Sequence, residues 1–129
     1  MPISRIEVRK KWNVEDKQQL METLHNALIA AFGIPSHDKL IRFVEYNPED
    51  FIVAPGCTEN YMLIELSVFQ GRSLEAKRRL YRAMVDGLGK FGIAPSDILI
   101  VLHEVPMENW GIRGGIPASE VDLGFNVNV

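Results

Sequence analysis

The chain has 129 residues, 47% of them hydrophobic and 24% charged, which is the size and composition of one globular domain rather than of a disordered segment. No apolar run approaches the ~18–20 residues of a membrane-spanning helix, and the net charge of −3, with acidic and basic residues interspersed, lacks the basic patch of a nucleic-acid-binding protein. The single cysteine, Cys57, forms no internal disulfide and fits a reducing compartment, so the composition predicts a cytoplasmic domain that binds neither membranes nor nucleic acids.

The first residues predict a strand that begins the mature protein. Residues 4–8 alternate between apolar or small side chains and charged ones, and no charged leader precedes them. Met1 is followed by Pro2, a small residue that permits enzymatic removal of the methionine. Pro2 would then carry a free secondary amine, which titrates near ~8 when unperturbed and can act as a general base or acid. A Met-Pro start is also common in proteins without such chemistry.

A helix and a second strand follow. Asn13 is a suitable N-cap, apolar residues recur on one helical face, and Gly33 is a natural stop, so a helix is predicted from about Val14 to Phe32. His25 is expected on the surface of this helix. Residues 39–46 then have the composition of a strand.

The second half has the same order of elements. After a loop over residues 47–60, residues 61–69 predict a third strand, apolar on both faces. Ser73 is a suitable N-cap for a second helix that Gly92 would end, and residues 97–104 predict a fourth strand.

The two halves also match in sequence. Residues 32–36 resemble residues 91–96, and each segment leads into a strand that ends in a glutamate and a proline. The chain is therefore predicted to be one α/β (α+β) domain, with duplicated β-α-β units at about 2–50 and 61–110. Right-handed crossovers would put both helices on one face of a four-stranded mixed sheet.

That layout leaves one face of the sheet without a cover. The third and fourth strands are apolar on both faces, and a monomer rarely exposes such a patch, so other subunits are expected to cover it. In the glycine-rich tail, residues 111–129, residues 121–129 alternate like a short extra strand that could pair with a neighbour's edge. The tail is therefore predicted to make inter-subunit contacts.

The Met1-Pro2 start, the two β-α-β units and the glycine-rich tail together resemble the tautomerase superfamily, over nearly the whole chain. Three motifs are most similar to the malonate semialdehyde decarboxylase group. Residues 33–39 resemble its Gly-x-Pro-x-x-Asp-Arg segment, with Lys39 in place of the arginine, residues 71–73 resemble the Pro-Arg-Ser that opens its second helix, with Gly71 in place of the proline, and Trp110 resembles its late tryptophan. The resemblance implies a homotrimer of the tautomerase/MIF type that uses no cofactor.

The resemblance also implies roles for single residues. Pro2 would transfer the proton, Asp38 would assist it, Arg72 would bind the substrate carboxylate, and Trp110 would help to wall the pocket. The decarboxylase group has a second arginine two residues before the one that matches Arg72, whereas this chain has Gln70, a candidate substrate contact that can hydrogen-bond a carboxylate or carbonyl but supplies no charge. That departure favours enol–keto tautomerism over decarboxylation.

From the residues themselves, several alternatives stay open. Arg72 could bind a carboxylate through two hydrogen bonds or could be a solvated loop arginine. Asp38 could orient a water molecule or hold Pro2 protonated, or it could bond its own turn. Arg113 could be a second anion contact, supplied across a subunit boundary, that compensates for Gln70. No residues have metal-ligand spacing, so no metal site is predicted.

Three functions are consistent with the sequence. The leading hypothesis is a cofactor-free tautomerase, an isomerase that moves a proton in the enol and keto forms of a small 2-oxo acid. The second is a decarboxylase or hydratase of a small 3-oxo acid such as malonate semialdehyde. The third is a trimeric binding protein that keeps the fold without the chemistry.

Overall fold

The computed structural model describes all 129 residues, and its helices and main strands follow the predicted order. The elements are β1 (Ile3–Val8), α1 (Val14–Phe32), β2 (Ile41–Glu45), β3 (Met62–Phe69), α2 (Leu74–Gly89) and β4 (Ile98–Val105). Two short strands, β5 (Gly111–Ile112) and β6 (Ile116–Pro117), form a separate hairpin after β4.

The four main strands form one mixed sheet in the order β2-β1-β3-β4. Strand β1 pairs in parallel with β2, β3 pairs in parallel with β4, and the two units join through the antiparallel pair β1–β3. At the centre of the sheet, Ile6 is level with Phe43 on one side and Ile64 on the other. The predicted fold class, two β-α-β units with two helices and a four-stranded mixed sheet, is confirmed.

Both helices begin at the predicted capping residues. The Asn13 side chain accepts a hydrogen bond from the backbone N–H of Asp16 at 2.8 Å, and the Ser73 hydroxyl accepts one from the N–H of Ala76 at 3.1 Å. These bonds satisfy amide groups that have no partner within a first helical turn. At the end of α1, Gly33 has a φ of 65°, the left-handed conformation that a glycine adopts without strain.

The core lies between the helices and the sheet. Its side chains come from alternate positions of the two central strands and from one face of each helix, as the two periodicities predict. They include Ile6, Val8, Met62, Ile64, Leu66, Leu20, Leu24, Leu28, Leu80, Met84 and Leu88, all buried.

The two helices approach each other closely at one point. A Cβ atom added to Gly87 of α2 would lie 2.5 Å from Cγ2 of Thr23 in α1, closer than real atoms pack. The absence of a side chain at Gly87 is therefore what allows this separation of the helices.

The tail differs from the prediction. No strand forms over residues 121–129, and the tail returns to its own chain, where Val127 is buried and the backbone N–H of Ser73 donates to the carbonyl of Val129 at 2.8 Å. The alternation is broken because Gly124 has a φ of 78° and the side chain of Asn126 accepts from the backbone N–H two residues later. The predicted extra strand is therefore wrong, while a contact of the tail with a neighbouring subunit stays a prediction.

The sheet face opposite the helices is open in the single chain and more polar than predicted. Its centre carries ionic contacts of Arg5 with Glu7 at 2.7 Å and with Glu65 at 2.8 Å. Tyr46 donates a hydrogen bond to Glu7, and the bond raises the pKa of the Tyr46 hydroxyl. Leu99 of β4 is 47% exposed. The face therefore combines an apolar border with a charged centre.

Neither helix of the structure has both the length and the hydropathy that crossing a membrane would require.

Candidate active site

A cavity of ≈ 200 Å³ lies where the chain start, the loop before β2, the end of β3 and the tail meet. It is bounded by an amine, a carboxylate, a guanidinium, an imidazole and apolar side chains. The lining residues are Met1, Asp38, Arg113, His37, Phe69, Ile112, Leu123 and Phe125. This mixture of a mostly apolar wall and a few polar groups is typical of sites for small molecules.

The chain start and Asp38 are neighbours in this cavity. The α-amino nitrogen of Met1 is 3.5 Å from Oδ2 of Asp38, and the next residue, Pro2, is buried. His37, at the rim, has its Nε2 3.7 Å from Oδ1 of Asp38 and a side chain that is 82% exposed. If Met1 were removed, the nitrogen of Pro2 would become the chain terminus, one residue or ~3.8 Å farther along the chain.

Asp38 is held in a tight turn before β2. Its backbone N–H donates to the carbonyl of Pro35 at 3.0 Å, and the carbonyl of Leu40 accepts from the N–H of Ser4 in β1 at 3.0 Å. The segment is therefore tied to the first strand, which brings the carboxylate to the start of the chain.

Arg113 lines the cavity of its own chain. It lies in the turn between β5 and β6 with a φ of 50°, and no other residue except glycine has a positive φ. Its Nη1 lies 3.4 Å from the carbonyl oxygen of Asp122. Left-handed backbone in a residue other than glycine persists where the surrounding structure imposes it, often at binding sites.

Arg72 does not line the cavity but lies behind its wall. Its side chain is 7% exposed, Nη1 donates to the carbonyl of Phe69 at 3.0 Å, and the guanidinium carbon is 4.8 Å from the centre of the Phe32 ring. Nε is buried with no hydrogen-bond partner. Burial lowers the pKa of Arg72, an effect partly opposed by the charge of Glu104. Gln70, two residues earlier, is exposed.

Trp110 also lies behind the cavity wall. It is 7% exposed, and its indole N–H donates to the carbonyl of Val105 at 3.1 Å. Its ring packs against the Phe69 ring in a T-shaped arrangement, with the ring centres 4.9 Å apart. Trp110 therefore supports the wall through Phe69 rather than by forming its surface.

Two features of the site were missed by sequence reasoning. His25, expected on the helix surface, is 3% exposed and contacts the carbonyl of Ser36 at 2.8 Å, so that expectation is wrong. Leu123 and Phe125 of the tail form part of the cavity wall. The alternation in the tail was a real signal for these apolar positions, but it indicated an apolar contact rather than a strand.

The structure brings no three His, Cys, Asp or Glu side chains close enough together to hold a metal ion.

Comparison with known proteins gives the family. A family model described as "Tautomerase enzyme" matches residues 38–113, more than half of the chain. The probable tautomerase YusQ of Bacillus subtilis (strain 168) is 25% identical over 121 residues, which cover 89% of this chain and 95% of YusQ.

Two solved structures share the fold. Malonate semialdehyde decarboxylase matches with a TM-score of 0.79 at 21% identity, over 85% of this chain and 89% of that one. A wild-type symmetric trimer of fused 4-OT matches with a TM-score of 0.78 at 23% identity, over 91% of this chain and 96% of that one. At these identities the likeness bears on the fold, and it agrees with the family match: the chain belongs to the tautomerase superfamily.

Proposed function

We propose that this chain is a cofactor-free tautomerase that acts on the enol and keto forms of small 2-oxo acids, with the amine of Pro2 as the proton carrier after Met1 is removed. The observation that carries the proposal is the cavity in which the chain start, Asp38 and Arg113 meet. An amine, a carboxylate and a fixed cation are the groups that such a proton transfer needs.

The proton would move in two steps. The neutral amine of Pro2 takes the proton from the enol oxygen, so the O–H bond breaks and an enolate forms. The resulting ammonium then delivers the proton to the substrate carbon, where the C=C π pair forms the new C–H bond and the oxygen becomes a carbonyl. Nothing is oxidised or reduced, and the amine is regenerated. Asp38 favours the ammonium form through its negative charge.

The substrate carboxylate is assigned to Arg113 and Arg72. The guanidinium of Arg113 lines the cavity and can contact an anion directly. Arg72 is a buried cation behind Phe69, and a charge in a low-dielectric region stabilises a nearby anion more than one in water does. Gln70 is exposed and adds no charge to this region.

The apolar wall of the cavity limits the size of the substrate. Phe69, Ile112, Leu123 and Phe125 bound a cavity of ≈ 200 Å³, and Trp110 backs Phe69. A compact 2-oxo acid with a short apolar or aryl group fits these dimensions, because its carboxylate can face the arginines while its apolar part contacts the wall.

The first experiment follows the absorbance of an aryl 2-oxo acid enol, using protein that mass spectrometry shows to begin at Pro2. We expect conversion well above the buffer rate, and Arg113→Gln should lower kcat/KM by roughly 10–150-fold, because a hydrogen bond between charged groups contributes about 1.5–3 kcal/mol. Arg82→Gln is the matched control, since Arg82 is an exposed arginine on α2 outside the cavity.

The same protein is tested with a small 3-oxo acid. Consumption of that acid without enol conversion would contradict the tautomerase and favour a decarboxylase or hydratase. Tight binding of a 2-oxo acid with no turnover of either compound would favour the binding protein.

We also propose that the functional unit is a homotrimer. The open sheet face has an apolar border, and a fused 4-OT relative of the same fold is a symmetric trimer. Closed rotational symmetry would give every subunit the same cover for this face.

The trimer prediction is checked by light scattering coupled to gel filtration. We expect a mass three times the 14.6 kDa of the chain at micromolar concentration. Val101→Lys, which puts an ammonium on the open face opposite Glu65 in β3, should shift the mass towards that of the monomer. Ile52→Lys is the control, because Ile52 is equally apolar and 93% exposed but lies outside the sheet. A monomeric wild type would contradict the proposal.

A further inference from the structure

We propose that His25 is a positioning residue that fixes the carboxylate of Asp38 beside the chain start by anchoring the carbonyl of Ser36 to helix α1. The inference rests on the proposed role of Asp38 in proton transfer and adds a residue to it that neither touches the substrate nor lines the cavity.

The first observation is the contact itself. His25 lies on α1, is 3% exposed, and has its Nε2 2.8 Å from the carbonyl oxygen of Ser36. A carbonyl oxygen can only accept a hydrogen bond, so Nε2 carries the hydrogen and donates it. A buried polar side chain that makes this one specific bond ties the helix to the loop.

The second observation is the position of this hydrogen bond, which is made to the turn that carries Asp38. Asp38 donates its backbone N–H to Pro35 at 3.0 Å, so Ser36 lies inside the turn that carries the carboxylate. On the other side of Asp38, the carbonyl of Leu40 accepts from the N–H of Ser4 at 3.0 Å. The hydrogen bonds at Ser36 and at Leu40 anchor the segment on either side of Asp38, and the one at Ser36 is made by a buried side chain.

The third observation is that the turn needs such an anchor. Residues 36–40 lie outside any helix or strand, and Ser36, His37, Lys39 and Leu40 are all exposed, so packing of their side chains does little to hold the segment. A catalytic group that moves by about 1 Å can lose ~10²-fold in rate. Loss of the His25 bond should therefore reduce turnover rather than substrate binding.

A neighbouring contact supplies the matched control. Glu22 lies three residues before His25 on α1 and pairs with Lys39 in the same segment, but these side chains are 51% and 44% exposed. Exposed ion pairs contribute little. Glu22→Gln therefore removes an exposed contact between α1 and the segment that carries Asp38, and it leaves the buried bond between His25 and Ser36 intact.

The experiment combines single variants with a double-mutant cycle. We expect His25→Leu to lower kcat by roughly 10–100-fold with KM changed by less than about 3-fold, on the ~10²-fold scale of a misplaced catalytic group. His25→Gln should retain most of the activity, because its amide N–H₂ can reach the Ser36 carbonyl. Glu22→Gln should stay within about 2-fold of wild type.

The double-mutant cycle with Asp38→Asn tests whether His25 affects the rate through Asp38. If His25 acts through Asp38, His25→Leu should cost little once Asp38→Asn is present. Hydrogen exchange at the Asp38 amide should be faster in His25→Leu and unchanged in His25→Gln, a readout that needs no turnover.

Two results would overturn this inference without touching the proposed function. One is an equal loss of kcat from His25→Leu with and without Asp38→Asn; the other is a folded His25→Gln variant whose activity is as low as that of the cavity variants. The His25→Gln test can be made even if His25→Leu does not fold. Full activity of Asp38→Asn would instead overturn the proposed role of Asp38, and the inference with it.

Discussion

Retention of Met1 is expected to lower the rate of enol–keto conversion by roughly 10²–10⁴-fold, the contribution of a general acid–base group. With Met1 present, the nitrogen of Pro2 is an amide whose lone pair is delocalised into the carbonyl and cannot accept a proton. The Met1 side chain also lines the cavity and would occupy space that the substrate needs. The primary amine of Met1 still lies near Asp38, but it is one residue away from the position proposed for catalysis.

The measurement compares three samples whose amino termini are established by mass spectrometry. The processed wild type should be fastest, followed by processed Pro2→Ala, which keeps an amine but loses the rigid secondary nitrogen. The sample that retains Met1 should be slowest. Full activity in a sample that carries only Met1-retained chains would refute proton transfer by Pro2 and would assign it to another group of the cavity.

Replacement of Arg72 by methionine is expected to separate activity from stability. We expect kcat/KM to fall by roughly 5–30-fold, because the attraction between the buried guanidinium and a substrate carboxylate beyond the wall, on the order of 1–2 kcal/mol, is lost. The free energy of unfolding should be unchanged or higher, since Arg72 is a buried cation with a single hydrogen bond and an unpaired Nε. Replacing such a group with an apolar side chain of similar length is often neutral or stabilising.

Gln70→Ala is the control for this variant. Gln70 is exposed in the same loop and should change kcat/KM by less than about 2-fold, as expected for a solvated side chain outside the cavity. Urea unfolding followed by circular dichroism gives the stability of each protein. Equal, small losses of activity in the two variants would remove Arg72 from the site, and a large loss of stability in Arg72→Met would make its role structural.

Elements of the fold could be predicted where the sequence signal acts within a few neighbouring residues. Asn13 and Gly33 mark the two ends of α1, and the structure has the helix at the predicted bounds because a cap and a left-handed glycine act within one turn. The end of α2 was less accurate. Gly92 was expected to stop it, but the helix ends at Gly89, since the last turn tightens and Lys90 donates to the carbonyl of Gly87.

The site could be predicted only in part. The resemblance singled out Asp38, which lies beside the chain start, but it could not tell that Arg113 lines the cavity of its own chain. His25 lies at the border of the apolar stripe of α1, and helical periodicity cannot tell whether a distant segment covers that border. Contacts of this kind depend on how the tail and the loop before β2 fold back over the helices and sheet, which no short sequence window contains.

The close approach of Thr23 and Gly87 has a consequence for how related sequences can diverge. A methyl group at position 87 fits only if the Thr23 side chain shifts or is replaced by a smaller one, so a change at one site should be tolerated mainly after a change at the other. Among relatives with this helix pair, alanine at position 87 should accompany glycine, alanine or serine at position 23. The two positions should therefore covary, because the small distance between the helices limits the combined size of the two side chains.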